Sequence, residues 1–379
     1  MEVIKLKSIN ILEERGGVTE YNARNIPLSH FNLLVGDNAQ GKTRLFNTMH
    51  YMTSTAYNLA NILATTFKSK WIFQVQSNSD TEEVVYDIKV KGSNGKNVYT
   101  EKITRNKKMI FSSSEKYLYN ESSRRKITNY YIPENIPAIV SINEKGFHTI
   151  KLIRDYFQRI IYVSSNKSRD LHVDPQSIVP NKIGTNLASV LVNWEKNYPQ
   201  NFQRVVNEFK DNYPFIKKFY FTDQKTLEGI KAKLLTITER NVLHPITQQN
   251  WSDGLYRMLF LLMSTKVPFV DNEKIYSPSF IMVDEIENGL DYKSLKFIID
   301  YLKDYSDEVQ IALSTHSPLV CELIHPENWI IVKRHGTKVN FISPPKFEKK
   351  LNEELELFKH KHWDFYTKHI SNSNLYLIK

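Results

Sequence analysis

The segment Gly36-Asp37-Asn38-Ala39-Gln40-Gly41-Lys42-Thr43 constrains this chain more than any other. It follows the apolar run His30–Val35 and precedes Leu45, Met49 and Met52 at helical spacing, so it reads as strand, glycine turn and helix start. G-x-x-x-x-G-K-[ST] at such a junction turns successive backbone N–H groups toward one point, where the positive end of the helix dipole also lies. That combination suits a chain of phosphates. Gly36, Asn38, Ala39, Gln40 and Gly41 would form the cradle, Lys42 would reach the terminal phosphates, the Thr43 hydroxyl would ligate magnesium, and Arg44 is a further candidate for nucleotide binding. A chance glycine turn is the alternative, and the flanking strand and helix argue against it.

Three further elements carry chemistry. Phe280-Ile281-Met282-Val283 is an apolar strand delivering Asp284 and Glu285 at its C-terminal end, where open α/β sheets place ligands. Asp284 would hold magnesium and Glu285 would polarise an attacking water, because phosphoryl transfer needs charge neutralisation and a positioned nucleophile. Alone, two acids after a strand are as often a solvated loop. Ser252-Asp253-Gly254 opens an apolar helix; Ser252 and Gly254 there could receive a phosphate, and an ordinary N-cap is the bland alternative. Ser314-Thr315-His316-Ser317 follows the strand Ile311–Leu313 and sets His316 where a γ-phosphate sensor would be useful, although a histidine at a strand end is usually structural.

These stretches together, Asn32–Thr43, Trp251-Ser-Asp-Gly, Met282-Val-Asp-Glu-Ile-Glu-Asn-Gly-Leu-Asp and Leu313-Ser-Thr-His-Ser-Pro, resemble the AAA-type bacterial ATPases of the ABC superfamily. Those are relatives of RecF, the SMC proteins and the OLD-family ATPases. The resemblance spans about residues 2–343 and implies ATP and Mg2+ as ligands. It further implies a homodimer in which ATP is sandwiched between the P-loop of one protomer and the Ser252–Gly254 signature of the other. Asp291 matches the D-loop aspartate and His316 the switch histidine. The signature is WSDG rather than LSGGQ, and Gln74, Gln76 and Gln158 all remain candidates for the Q-loop.

The expected fold is an α/β P-loop ATPase of ABC type, a mixed sheet with helices on both faces, an antiparallel β insertion and a short helical arm. Lobe I covers about 1–165 with the insertion at about 71–131, the arm about 184–215, lobe II about 232–343, and a C-terminal tail 344–379. Period-two alternation at Val84, Tyr86, Ile88 and Val90 supports the insertion. Leu187, Val190, Leu191 and Trp194, then Phe202, Val205, Val206 and Phe209, support the arm, read as helical from Gly184 to about Lys210.

The 379-residue chain shows no apolar run of membrane length and no secretory leader, so a cytoplasmic protein with no membrane partner is expected. The single Cys321 reads as a core side chain. A formal charge of +10 leans toward polyanions, with DNA as a candidate partner and Arg105–Lys108 and Arg124–Lys126 as candidate phosphate contacts, solvated loops being the equal alternative for both clusters. No heptad run long enough for an SMC-like rod is present, and the tail is too short for a nuclease domain. Leu351, Leu355, Phe358, Trp363 and Phe365 read as an amphipathic stripe that either docks on a partner or, more commonly for such stripes, packs on its own domain, and His360, His362 and His369 read as solvated rather than metal-binding.

The resemblance therefore implies an ATP-driven switch, dimeric or of higher order, controlling DNA engagement or a separately encoded nuclease or toxin, and the antiphage-defence setting rests on that family analogy alone. A RecF-like repair ATPase acting directly on DNA, and a non-hydrolysing nucleotide-binding scaffold, are the alternatives.

Overall fold

The computed structural model describes residues 2–15, 17–55, 66–77, 80–93, 96–127, 130–142, 145–164, 187–225, 231–271, 274–343, 361–365 and 367. In chain order the first elements are Val3–Arg15 (β1), Val18–Pro27 (β2), Phe31–Val35 (β3), Lys42–Thr55 (α1), Thr66–Ser77 (β4), Asp80–Ser93 (β5), Lys96–Arg105 (β6), Lys108–Ser112 (β7), Tyr117–Asn120 (β8), Arg125–Ile127 (β9), Ala138–Ser141 (α2) and His148–Gln158 (α3). Next come Ile160–Val163 (β10), Leu187–Asn197 (α4), Pro199–Asn212 (α5), Ile216–Lys225 (β11), Lys231–Glu239 (β12), Ile246–Thr247 (β13) and Asp253–Thr265 (α6). The last are Phe269–Asp271 (β14), Lys274–Tyr276 (β15), Phe280–Val283 (β16), Tyr292–Tyr305 (α7), Gln310–Thr315 (β17), Pro318–Leu323 (α8), Trp329–His335 (β18) and Lys338–Ile342 (β19). The chain divides into two compact units, Met1–Ile160 with Ile324–Lys379, and Ile161–Leu323.

In the first unit the strands run β3-β18-β19-β2-β1-β4-β5-β6-β7-β8-β9. Among the described residues of this unit β18 with β3 and β19 with β2 pair in parallel, and the other pairs are antiparallel. Alternating buried strands and helices would by themselves give a largely parallel sheet; here the two-residue period dominates and makes the sheet mixed. The predicted insertion is continuous with the N-terminal hairpin, because β1 pairs with both β2 and β4.

One face of this meander is apolar. Ile9, Trp71, Tyr86, Ile103 and Phe111 align across five strands and are fully buried. α3 lies against them because Ile150, Ile153, Tyr156 and Phe157 recur at helical spacing: the Phe157 ring meets Trp71 edge-on at 4.8 Å and Tyr156 meets Phe73 at 5.2 Å. Truncating Trp71 to alanine would cost about 3–5 kcal/mol. Beneath the meander Glu101 is wholly buried, accepting from the Tyr86 hydroxyl and the Ala138 N–H, both at 2.6 Å. Burial raises its pKa to about 7.

The second unit builds β10-β16-β17, with β16 and β17 parallel and all four β16 side chains buried, as an apolar run between two covered faces requires. α7 contributes Leu295, Ile298, Ile299 and Leu302 at helical spacing. The predicted arm is two helices, not one. Pro199 occupies the first turn of α5, where no N–H is needed, and it forces Tyr198 out of helical geometry (φ −137°, ψ 57°). Trp194, Val205 and Phe209 are buried, and Phe209 stacks on Trp251 at 6.0 Å. Residues 184–186 lie outside the described residues.

Two surface expectations change. Arg105 is a structural hub, 15% exposed at its side chain, donating to Glu2 and Glu82 with Glu121 at 3.8 Å, so its charge is already matched. His362 is buried and packs edge-on to Trp329 (6.2 Å) and His325 (5.6 Å), so it is not a solvated residue. Leu351, Leu355, Phe358, His360 and His369 lie outside the described residues. The Cys321 side chain is buried, as expected of a core residue. Among the described residues no helix is long and apolar enough to cross a membrane.

Candidate functional site

In the first unit β3 is buried throughout and delivers the chain to Gly36, whose position excludes any side chain. A Cβ there would stand 2.7 Å from the Val332 carbonyl oxygen of β18. Ala39 and Gly41 have positive φ (64° and 103°), the turn conformation the glycine-rich pattern calls for. The loop is also fastened from outside. Gln40 Oε1 accepts the Arg334 N–H at 2.6 Å, and the Tyr21 hydroxyl donates to the Gly41 carbonyl at 3.3 Å. Asp37, Asn38 and Ala39 are exposed on the open side of the loop.

Lys42 begins α1 with its ammonium folded over the loop, donating to the carbonyls of Gly36 (2.5 Å) and Asp37 (2.9 Å). Thr43 is exposed beside it. Arg44 turns the other way: its guanidinium pairs with buried Glu13 at 2.5 and 2.8 Å and lies 5.1 Å over the Tyr21 ring. Glu13 also accepts from Thr48, so it ties α1 to the sheet. Burial and the nearby Glu13 carboxylate raise the Tyr21 pKa, which keeps that ring neutral under the loop.

In the second unit Asp284 and Glu285 leave the C-terminal end of β16 beside the end of β17. Asp284 is 1% exposed. The Ser314 hydroxyl donates to Asp284 Oδ1 (2.5 Å) and accepts from the Glu285 N–H (3.0 Å), so one side chain positions both acidic residues. Glu285 has φ 48°, unusual for a residue with a side chain. Its carboxylate accepts from Asn288 Nδ2 at 2.7 Å and stands 3.8 Å from His316 Nδ1. His316 is 3.6 Å from Glu287 as well, and Glu287 in turn accepts from the Thr315 hydroxyl at 2.9 Å.

The signature turn belongs to the same unit. Ser252 caps α6, accepting the Leu255 N–H at 3.3 Å. Gly254 lies so close to the Gly289 carbonyl that a Cβ would be 2.5 Å from it. Asp291 caps α7, accepting from the Ser294 N–H (2.9 Å) and hydroxyl (3.1 Å). Both residues thus do helix-capping work, which sets the exposed Ser252 and Asp291 positions at helix starts. Of the Q-loop candidates, Gln74 and Gln76 lie on the exposed side of β4 and Gln158 ends α3.

The residue that motif reading missed is Arg257. It projects from the first turns of α6 and donates to the carbonyls of Ser164 (2.7 Å), Asp284 (2.9 Å) and Glu285 (3.4 Å). Its Nε is buried without a hydrogen-bond partner among the described residues. Burial pulls its pKa down to about 10, while Asp284, Glu287 and Glu285 favour the charge, so it stays a cation at neutral pH. Five residues after Ser252, its only sequence signal is a cation on an otherwise apolar helix face.

The residues suit the implied ligands. A loop of turned N–H groups with a lysine at a helix start is a donor set for a polyphosphate. Asp284 and Thr43 offer the hard oxygens that magnesium prefers. Among the described residues there is no cluster of three or more histidine, cysteine or acidic side chains of the kind an all-protein metal cage needs.

Residues 31–322 match the family described as "AAA domain, putative AbiEii toxin, Type IV TA system". No curated protein matches the chain in sequence. Among solved structures, an SMC head bound to the C-winged helix domain of ScpA superposes with TM-score 0.53 and 12% identity, over 89% of this chain and 97% of that one. The SMC head domain from Thermotoga maritima gives 0.44 and 13% over 89% and 98%. The Smc head with an extended coiled coil from Pyrococcus furiosus gives 0.47 and 12% over 94% and 100%. The first of these shows the fold, that of an ABC-type P-loop ATPase head.

Proposed function

The chain belongs to the AAA-domain family described as putative AbiEii toxin, and from that membership and its two groups of site residues we propose that it is a magnesium-dependent ATP phosphohydrolase acting as a switch. The observation that carries the proposal is the pair Asp284 and Glu285 at the end of a buried strand, jointly positioned by Ser314, with Glu285 further oriented by Asn288. A carboxylate on a left-handed backbone position held by Ser314, Asn288 and Arg257 is a prepared base, not a solvated acid.

In this reading the N–H groups of the Gly36–Thr43 loop bind the phosphates of ATP and Lys42 neutralises the charge developing on the transferred group. Magnesium, held by Thr43 and Asp284, would supply further charge neutralisation there. Glu285 orients the attacking water and accepts its proton, and His316, within reach of both Glu285 and Glu287, senses the γ-phosphate. Two protomers close head to tail, so that Ser252 and Gly254 of one complete the nucleotide site of the other, with Asp291 at the interface. Closure and reopening then control DNA or a separately encoded effector, and the family's toxin–antitoxin description supports a defence setting, which we place in the cytoplasm.

The test is ATP turnover and oligomeric mass of the wild type, Lys42→Ala and Glu285→Gln. Lys42→Ala should lose nucleotide binding or turnover, and Glu285→Gln should bind ATP, accumulate dimers and turn over slowly. Normal hydrolysis by Glu285→Gln would show that another residue positions the water.

A further inference from the structure

The outer face of the first unit's meander, opposite the apolar row under α3, is lined by lysines that the sequence scatters and the sheet gathers. Strand pairing sets Lys68 directly opposite Lys89, and sets Lys70 and Lys102 on either side of Asp87. Asn10 continues the second row on β1, and Arg24 stands on the adjoining β2. These side chains line one open groove of about 630 Å³. Along a strand same-face residues repeat at about 7 Å, and neighbouring strands lie about 5 Å apart, so the cations form a lattice rather than a line.

Like charges directly opposite on a sheet destabilise it. Two local carboxylates offset this only in part. Glu14 bridges Lys68 at 2.9 Å and Glu115 approaches Lys102 at 3.7 Å. Lys70 and Lys89 point from exposed positions, and Asp87 between Lys70 and Lys102 is half-buried. Lys68, Lys70, Lys89, Lys102 and Arg24 therefore outnumber the acids around them.

We propose that this groove across β1, β2, β4, β5 and β6 is a docking surface for the phosphate backbone of duplex DNA. Charge complementarity selects a polyanion, and the rest of the lining selects among polyanions. Among the described residues no aromatic side chain lines the groove, so unstacked bases of a single strand find no platform on them. The polar side chains beside the cations, Asn10, Asn22, Asn25, Thr100 and Ser114, are donors of the kind that fix a duplex backbone without reading its sequence. The proposal deepens the switch reading by naming where DNA would meet the protein, and its test does not depend on turnover.

The experiment is fluorescence anisotropy of a labelled duplex of about 30 base pairs with the full chain, at about 50 and 200 mM salt. Lys70→Glu with Lys89→Glu is compared with the wild type and with Lys217→Glu, an exposed position in the other unit. The wild type and Lys217→Glu should bind and weaken steeply with salt. The double variant should bind at least about tenfold more weakly, with a salt slope shallower by about 2, and keep DNA-free ATP turnover. Equal binding by the double variant, or no duplex binding by the wild type at low salt, overturns the proposal whatever the ATPase does. Face-dependent binding of polyglutamate without duplex binding also overturns it, in favour of an acidic protein partner. Loss of turnover in the wild type with duplex binding intact would instead count against the switch reading alone.

Discussion

The Arg257 guanidinium holds the Glu285 backbone in place: it donates to the carbonyls of Asp284 at 2.9 Å and Glu285 at 3.4 Å, at the one turn where Glu285 adopts φ 48°. An αL conformation at a residue with a side chain costs about 1–3 kcal/mol and persists only where its surroundings overdetermine it. Here those surroundings are Arg257 from α6, Ser314 from β17 and Asn288 from the turn itself. Because Arg257 rides on the helix that Ser252 caps, the Ser252–Gly254 turn and the Glu285 backbone are joined by one side chain within one unit.

The first prediction follows from that link. Arg257→Lys keeps the charge but loses the fork that reaches several carbonyls. Its kcat should fall about 10- to 100-fold, the usual cost of losing a supporting shell, with KM for ATP nearly unchanged. A raised KM with kcat preserved would show that Arg257 serves binding and not the placement of Glu285.

A second prediction concerns the loop. Gly36→Ala would press a methyl group to 2.7 Å from the Val332 carbonyl, and backbone on both sides cannot yield without moving the cradle. ATP affinity should drop at least about tenfold, equivalent to ~1.4 kcal/mol. Ala39→Gly, at φ 64°, should by contrast keep binding and gain up to about 1 kcal/mol in stability. Titration of both variants with a fluorescent ATP analogue, beside thermal melts, checks the pair; equal affinity in Gly36→Ala would mean that the loop does not hold phosphate.

Much of this was legible because it is local. The turn Gly36–Thr43 and the strand-end acids Asp284 and Glu285 carry their geometry in consecutive residues, and a reader of the chain can place strand, turn and helix around them. The supporting contacts are not local. Ser314 reaches Asp284 across a parallel strand pair 30 residues away, and Arg257 reaches Ser164 across 93, so their roles depend on register that no window reveals. The same holds for charge. The run Arg105–Lys108 looks like a phosphate site in sequence, yet Glu2 and Glu82 consume Arg105, while Lys68, Lys70, Lys89 and Lys102 become one surface only after three strands pair. The break between α4 and α5 was readable from Pro199, since a residue before proline leaves the helical region.

A third prediction is a pH dependence of stability. Burial raises the Glu101 pKa to about 7 against an ordinary 4.5, so the folded state holds a proton that the unfolded chain releases. Its contribution is fully present below pH about 4.5 and is lost as pH rises to about 7, amounting to about 3 kcal/mol. Glu101→Gln, whose Oε1 can accept from the Ala138 N–H while its amide N–H donates to the Tyr86 hydroxyl, should remove that component. Denaturant midpoints at pH 5 and 8 test it: the wild type should weaken between them relative to the variant, and parallel profiles would count against a neutral Glu101 in the folded state.

A fourth prediction separates the two jobs of Ser252. As the cap of α6 it is worth about 1 kcal/mol, and Ser252→Asn should keep that. As a residue completing the partner's nucleotide site it should be intolerant of bulk and charge, so Ser252→Arg should bind ATP yet fail to hydrolyse it. Lys42→Ala should also be inactive, but its signature is intact, as is the P-loop of Ser252→Arg. In a head-to-tail dimer, mixing the two dead variants creates heterodimers with one complete site. Random mixing places half the chains in such dimers with one site of two working, so turnover should recover to about one quarter of wild type. If each protomer completes its own site, mixing will restore nothing, and Ser252 will be left as a helix cap alone.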